Sequence, residues 1–355
     1  MTYMLVINPG STSTKIAVYD GRTEVLNETI RYASEKLESF ENVIDQYEFR
    51  VDTIEKVLAS KKITIDKFDV IVGRGGMLKP IESGVWNVND EMLKDLRKAE
   101  RGEHASNLGA VIANNIAKKI GIKAYIVDPV VVDELDEVAR ISGIPEIERT
   151  SVFHALNQKA SARTLSKQLG LKYEDINLLV AHMGGGVTVG AHRKGRVVDV
   201  TNGVYGEGPF SPERSGALPP EQVINMCFSG KYTKPELIKK IHGKGGMAAY
   251  LGTADLRIAE KDALNGDKKS CLILNAMAYQ IAKEIGSMAV VLEGDINGII
   301  LTGGLAFSTG LMEEITKRIK FLAKVYIIPG ENEMVALRDG VLEALEGNMP
   351  TKDYV

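Results

Sequence analysis

The sequence predicts an α/β protein made of two related domains, and three observations carry that expectation. At 355 residues the chain exceeds what a single hydrophobic core usually serves. Short apolar runs at Val70–Val72, Ala124–Val127, Ile299–Leu301 and Val325–Ile328 read as buried strands, with helical patterns between them. Finally, LVINPGSTSTKIAVYDGR from Leu5 and LVAHMGGGVTVGAHRKGR from Leu179 align without a gap at an offset of 174 residues. They share Val6/Val180, Gly10/Gly184, Ala17/Ala191, Gly21/Gly195 and Arg22/Arg196. Likeness at a fixed offset marks a duplicated unit.

Taken in order, the first copy opens as an apolar strand, breaks at Asn8-Pro9-Gly10, and returns through Ser11, Thr12, Ser13, Thr14 and Lys15. Alternation over Lys15–Tyr19 marks the returning strand as part of a sheet. His104–Ile120 places Leu108, Val111, Ile112, Ile116 and Ile120 on one helical face, and Gly121 ends it. Gly143 and Pro145 interrupt the helical pattern near Ile144–Thr150, which puts the domains at 1–148 and 149–355. Ser151–Leu169 and Ser270–Leu292 are further helices, the second apolar nearly all round and therefore expected to be buried. No low-complexity linker joins the halves, so hinged lobes are expected.

Composition narrows the function. With 44% apolar and 26% charged residues the chain reads as a soluble globular protein, and a net charge of −3 provides no basic field for a nucleic-acid backbone. Cys227 and Cys271 form neither a metal-ligand pattern nor a disulfide framework, which fits a reducing cytosol. No run approaches the roughly 18 apolar residues of a membrane span, and the first strand begins too close to Met1 to leave room for a signal segment. A cytoplasmic protein with neither membrane nor nucleic-acid partner is expected.

Three glycine-bearing turns invite an anion. In the opening turn, backbone N–H groups with the hydroxyls of Ser11, Thr12 and Ser13 form an anion-binding concavity, and Lys15 adds a compact positive charge. The ordinary reading is a surface hairpin, since these are common turn residues. There is no G-x-x-x-x-G-K-[ST], so a Walker loop is excluded. The second turn, His182-Met183-Gly184-Gly185-Gly186, sacrifices backbone entropy for no side chain, which suits close approach of a ligand. His182 beside it is a candidate donor to a phosphoryl oxygen. In the third, a buried strand ends at Gly303-Gly304 and a helix starts near Thr309, the place where α/β proteins bind ligands. Two such turns opposed across a cleft would grip a polyphosphate from both sides.

Charged residues in glycine-rich surroundings are the remaining candidates. Arg74 follows a strand in Val72-Gly73-Arg74-Gly75-Gly76, and Arg214 lies in the irregular loop Phe210–Gly216. A guanidinium there is placed to clamp a carboxylate or phosphoryl group with two hydrogen bonds. Asp128 ends the strand Ala124–Val127 and would hold Mg²⁺, orient an arginine, act as a base, or simply cap a turn. His154 at a helix start is similarly open. Glu331 and Glu333, after Pro329, would serve Mg²⁺ or a helix N-terminus.

Together these residues resemble the acetate and butyrate kinase family, within the actin, Hsp70 and sugar-kinase superfold of ribonuclease H-like domains. The opening turn matches that family's N-x-G-[ST]-[ST]-[ST]-x-K signature at Asn8, Gly10, Ser11, Thr12, Ser13 and Lys15, and the second signature is visible at His182–Gly186 and Glu213–Gly216. The short chain, Gly73–Gly76 and Met183–Gly186 lean towards the butyrate kinase branch. The resemblance implies two duplicated domains around a nucleotide cleft, an acid-binding one at 1–148 and a nucleotide-binding one at 149–355, with a helix at about 333–347 packing back on the first. It implies ATP/ADP, Mg²⁺, a short-chain carboxylic acid and a homo-oligomer. It gives Asn8 a role near magnesium, Lys15 one at the phosphates and Arg74 the acid, with Asp128 as a catalytic or orienting acid. His154 and Arg214 would stabilise the transition state. His182–Gly186, Asp255–Arg257 and Gly304–Ser308 would line the nucleotide. Anchored on Pro329, the family's magnesium-linked Glu falls on Asn332, so Glu331 or Glu333 must substitute. The alternatives are a sugar or polyol kinase using Asp128 as base, and an ATP-driven switch of the Hsp70 or actin kind.

Overall fold

In the computed structural model, which describes residues 2–355, the chain divides into two compact units. Residues up to Val132 with Asn332–Val355 form unit 1, and Asp133–Glu331 form unit 2. The first boundary therefore falls sixteen residues before the expected 148/149. The reason is that 133–150 is tied into unit 2. Glu134 accepts from the Val197 amide at 2.8 Å and pairs with buried Lys159 at 2.8 Å. Asp136 pairs with Arg193 at 2.7 Å, and Arg149 with Asp199 at 3.0 Å. Gly143 and Pro145 punctuate a surface excursion, with Ile141, Ile144 and Ile147 exposed, rather than a domain joint.

Unit 1 is built on a sheet of β1 (Tyr3–Pro9), β2 (Ser13–Asp20), β3 (Thr23–Arg31), β4 (Val70–Arg74), β5 (Val85–Asn87), β6 (Ala124–Val127) and β12 (Thr351–Asp353), in the order β12-β5-β6-β4-β1-β2-β3. β1, β2 and β3 form an antiparallel meander, while β4 runs parallel to β1 and β6 parallel to β4. Leu5, Ile7, Ile16 and Val18 meet Ile54 and Leu58 of the helix Tyr47–Ser60 and Leu108, Ile112 and Ile116 of the helix Asn107–Ile120 in one core. Gly121 closes the second helix at φ 73°, donating to the Ala117 carbonyl. The helix Glu333–Leu345 packs against β1, β4 and β6.

Unit 2 repeats the scheme with β7 (Asn177–Met183), β8 (Val187–Arg193), β9 (Arg196–Val200), β10 (Gly298–Gly303) and β11 (Val325–Pro329), ordered β11-β10-β7-β8-β9. Its core joins Leu179, Ala181 and Val189 to Met277, Ile281 and Ile285 of the helix Lys268–Val291. That helix is not buried all round, since Leu272, Tyr279 and Val290 are exposed. Nor is β11 a buried strand: it lies at the sheet edge, and Ile327 is half-exposed.

The echo in the sequence is an echo in structure with one change. β1 and β7 begin and end at the same offset, but four residues separate the pair Pro9↔Thr14 and three separate Met183↔Val187. The shorter glycine turn shifts the cross-strand register by one, so Val6 faces Ala17 whereas Val180 faces Gly190. No helix among the described residues is long and apolar enough to cross a membrane.

Candidate active site

In unit 1 the hydroxyl-rich turn is closed by the Gly10 amide donating to the Ser13 carbonyl at 2.7 Å, with Ser11 and Thr12 exposed. Beneath it lies Arg50, wholly buried. Its NH1 donates to the Gly10 and Ser13 carbonyls at 2.9 and 3.0 Å and to Thr14 Oγ1 at 3.1 Å, and NH2 reaches the Ser11 carbonyl at 3.2 Å. Gln46 Oε1 accepts from NH2 at 2.7 Å, and the Tyr32 ring lies 4.8 Å from the guanidinium carbon. By taking the turn's carbonyls inward, Arg50 sets the turn's conformation and puts a positive charge under it. Burial pushes its pKa down from the ordinary guanidinium range.

Lys15 stands directly opposite Asn8 across β1 and β2, so the two share a face of the sheet. Asn8, Arg74 and Glu333 meet. Asn8 Nδ2 donates to Glu333 Oε2 at 2.6 Å, and Arg74 NH1 donates to the same oxygen at 2.9 Å and to Asn8 Oδ1 at 3.3 Å. Glycines bring the backbone to this point. A Cβ on Gly76 would fall 2.5 Å from Asn107 Oδ1, and one on Gly75 2.5 Å from Pro129 Cβ, so strand exit and helix start could not close up with side chains there. Asp128 is buried at a left-handed φ of 39°, unusual for a residue other than glycine, with Oδ1 accepting from Ser83 Oγ at 2.6 Å and the Gly84 amide at 2.8 Å.

Unit 2 gathers the second set around the end of β7. The rings of His154 and His182 stack with centroids 3.9 Å apart. Asn157 Nδ2 faces the Gly330 carbonyl, which turns its Oδ1 to His182 Nδ1 at 2.8 Å, so that ring nitrogen donates. His182 Nε2 lies 3.2 Å from Glu331 Oε1. Glu331 thus sits by His182, whereas Glu333 sits with Asn8; the two acids do not share a place within one unit.

The glycine run makes room for an arginine. A Cβ on Gly186 would fall 2.5 Å from Arg214 Cζ and 2.9 Å from Nε. The loop carrying Arg214 is strapped to the turn by Ser211 Oγ and the Glu213 amide, both donating to the Gly185 carbonyl, at 2.6 and 3.2 Å. Arg214 NH1 donates to the Gly203 carbonyl. Burial lowers this guanidinium's pKa, with neighbouring Glu213 opposing. A Cβ on Gly184 would come 3.1 Å from Glu331 Oε1.

The third glycine pair divides its roles. Gly303, at φ 92°, presses its backbone on Met183, where a Cβ would lie 2.7 Å from the amide nitrogen. Gly304 faces open space. The following helix, Thr309–Ile319, is capped by Ser308 accepting from the Leu311 amide at 3.0 Å. Asp255 and Arg257 bind each other, with Nε and NH2 donating to the two carboxylate oxygens at 2.9 and 2.6 Å, at the exposed start of the helix Leu256–Leu264.

The sequence reading missed Arg50, Asn157, Gln158 and Thr188. A signal existed for the first: Gln46, Arg50, Ile54 and Leu58 recur every four residues, which puts a charge on the apolar stripe of a helix.

Comparison with known proteins identifies the family. The acetokinase family model matches residues 146–333. The chain is 54% identical over 351 residues to butyrate kinase 2 of Clostridium acetobutylicum, covering 99% of each. Among solved structures, the acetate kinase of Porphyromonas gingivalis superposes with a TM-score of 0.79 at 19% identity, over 96% of this chain and 99% of that one. The acetate kinase of Entamoeba histolytica gives 0.76 at 16%, over 96% and 98%. On this evidence the chain belongs to the acetokinase family.

Proposed function

We propose that this protein transfers the γ-phosphoryl group of ATP reversibly to the carboxylate of a short-chain fatty acid, butyrate or a branched or shorter analogue, giving an acyl phosphate and ADP. Family membership and the near full-length likeness to a butyrate kinase support the reaction class. The observation that carries the acceptor is Arg74, a guanidinium on a strand exit already bonded to one carboxylate, that of Glu333, at 2.9 Å.

A carboxylic acid of pKa about 4 is ionised at neutral pH, so its oxygen attacks without a general base. The obstacle is repulsion between two anions, and positioning plus charge neutralisation is most of what phosphoryl transfer needs. Arg74 would orient the acid, with Asp128 held by the 83–84 turn as an orienting acid. Lys15 and the Ser11–Ser13 turn would hold phosphate oxygens. In unit 2 the bare backbone of Gly184–Gly186 would take the polyphosphate with His182 lining it, His154 and Arg214 would donate to the transferring group, and Gly303–Gly304 with Asp255 and Arg257 would face the nucleoside end. A neutral sugar hydroxyl does not call for a guanidinium at the acceptor side, which disfavours the sugar-kinase alternative.

Mg²⁺ fits the oxygens of Asn8 and Glu333 in chemistry, since it binds through one or two carboxylates with water and phosphate as the other ligands. Among the described residues no group of three or more His, Cys, Asp or Glu could hold a metal by itself. The ion would supply positive charge to the polyphosphate, and Glu333 rather than Glu331 is the acid proposed to serve it.

A hydroxamate assay over C2 to C6 acids with ATP and Mg²⁺ tests the reaction. The expected result is acid-dependent product with the highest kcat/KM near C4, falling at least about 10²-fold in Arg74→Ala and in Arg214→Ala. ATP turnover independent of any acid, or near-normal rates in both variants, refutes it.

A further inference from the structure

We propose that a directional chain of hydrogen bonds, Tyr173–His192–Gln158–Thr188–His154, fixes the neutral His154 ring with its proton on Nε2, which makes Thr188 a positioning residue for that histidine. This assignment rests on reading His154 as a donor to the transferring phosphoryl group.

From Tyr173 as far as Thr188 the direction follows from groups that have no choice. A carbonyl only accepts, so the amide nitrogen of buried Gln158 must face the Thr188 carbonyl, 3.1 Å away, and the same nitrogen lies 2.9 Å from Thr188 Oγ1. Gln158 Oε1 is thereby turned to His192 Nε2 at 3.0 Å, and an amide oxygen also only accepts, so Nε2 of His192 carries a hydrogen. His192 is wholly buried; desolvation, with the charges of Lys159 and Arg163, holds its pKa well below the ordinary histidine value. A neutral ring has one N–H, so its Nδ1 is bare and accepts from Tyr173 Oη at 2.7 Å.

At the other end, Thr188 Oγ1 receives the Gln158 hydrogen and has one of its own to give. That hydrogen is assigned to His154 Nδ1, 2.9 Å away, and on this assignment the proton of a neutral His154 ring sits on Nε2. The ring plane is fixed as well, by the start of the helix Ala155–Gln168 and by the stack on His182. The two stacked rings have opposite polarity at Nδ1, His154 accepting and His182 donating.

The test is a two-bond ¹H–¹⁵N correlation spectrum of the full chain labelled at histidine, which has only five such residues to assign. Wild type is expected to show His154 and His192 as Nε2–H tautomers. Thr188→Val should move His154 towards a tautomer mixture and cut kcat about 10-fold or more, with KM for the acid within about twofold, because an oriented donor is lost and not the binding site. Thr188→Ser should restore both. An Nδ1–H tautomer in wild type, an unmoved His154 in Thr188→Val, or a shifted tautomer with unchanged kcat each overturns the proposal. If Thr188→Val does not fold, the wild-type spectrum and Thr188→Ser still decide. The spectra need no turnover, so absence of acid kinase activity would remove the functional reading and leave the tautomer assignment standing.

Discussion

Replacing Arg50 by methionine removes the donor set beneath the opening turn while roughly keeping side-chain length. Three turn carbonyls and Thr14 Oγ1 lose a partner. Hydrogen bonds from charged donors contribute roughly 1.5–3 kcal/mol each. Against that, Arg50 is a buried cation whose hydrogen-bond acceptors are all uncharged, so its removal relieves a desolvation cost of several kcal/mol. Some turn carbonyls also become reachable by water, since Ser11 and Thr12 are exposed. The net expectation is a loss of about 2–4 kcal/mol. Urea unfolding followed by circular dichroism reads this directly. Because the turn then loses the conformation that presents its amides and hydroxyls, KM for ATP should rise about 10-fold or more. Arg50→Lys, with at most three donors, should fall between the two. An Arg50→Met protein within about 0.5 kcal/mol of wild type, with unchanged KM for ATP, would refute the account of the turn.

Three further outcomes are expected. Gly186→Ala puts a methyl group against the Arg214 guanidinium; overpacking of this kind costs about 1–3 kcal/mol, and kcat should fall towards that of Arg214→Ala, so a fully active Gly186→Ala enzyme would detach Arg214 from the chemistry. Glu333→Gln should raise the Mg²⁺ concentration for half-maximal rate at least about 10-fold while Glu331→Gln changes it little, measured by magnesium titration at saturating ATP; the reverse order would transfer the metal role. His192 stays neutral when folded but titrates near about 6.5 when unfolded. Below that pH the unfolded chain binds a proton the folded one does not, so stability falls with pH by up to about 1.4 kcal/mol per unit from this group. His192→Gln should flatten the slope of unfolding free energy between about pH 6.5 and 5, and parallel slopes would contradict the burial argument.

Much of the fold was readable because it is written in local patterns. β6 lies where the run Ala124–Val127 placed it, and Gly121 ends its helix as a left-handed cap. The duplicated hairpin showed as letters at a fixed offset, yet the letters hid the register: a three-residue turn against a four-residue one changes pairing without opening a gap in the alignment. The domain break was misread for a related reason. Gly143 and Pro145 announce an irregular backbone, but only the long-range pairs of Glu134, Asp136 and Arg149 reveal which core that backbone serves.

The candidate site divides along the same line. Residues with chemistry of their own, such as Arg74, His154, His182 and Arg214, stand out in a sequence because glycines or a helix start flank them. Residues that act through another are invisible there, since Gln158 and Thr188 look like any polar residue in a helix or strand. What makes them matter is acceptor-only groups met across 30 residues of chain from Gln158 to Thr188 and 34 from Gln158 to His192. Arg50 is the intermediate case: a charge on an apolar stripe is legible as an anomaly, but the turn it supports lies forty residues away. Substitutions at such supporting positions therefore discriminate better than those at the proposed reactive ones, because each predicts a change in the geometry or protonation of a named partner, observable whether or not the enzyme turns over.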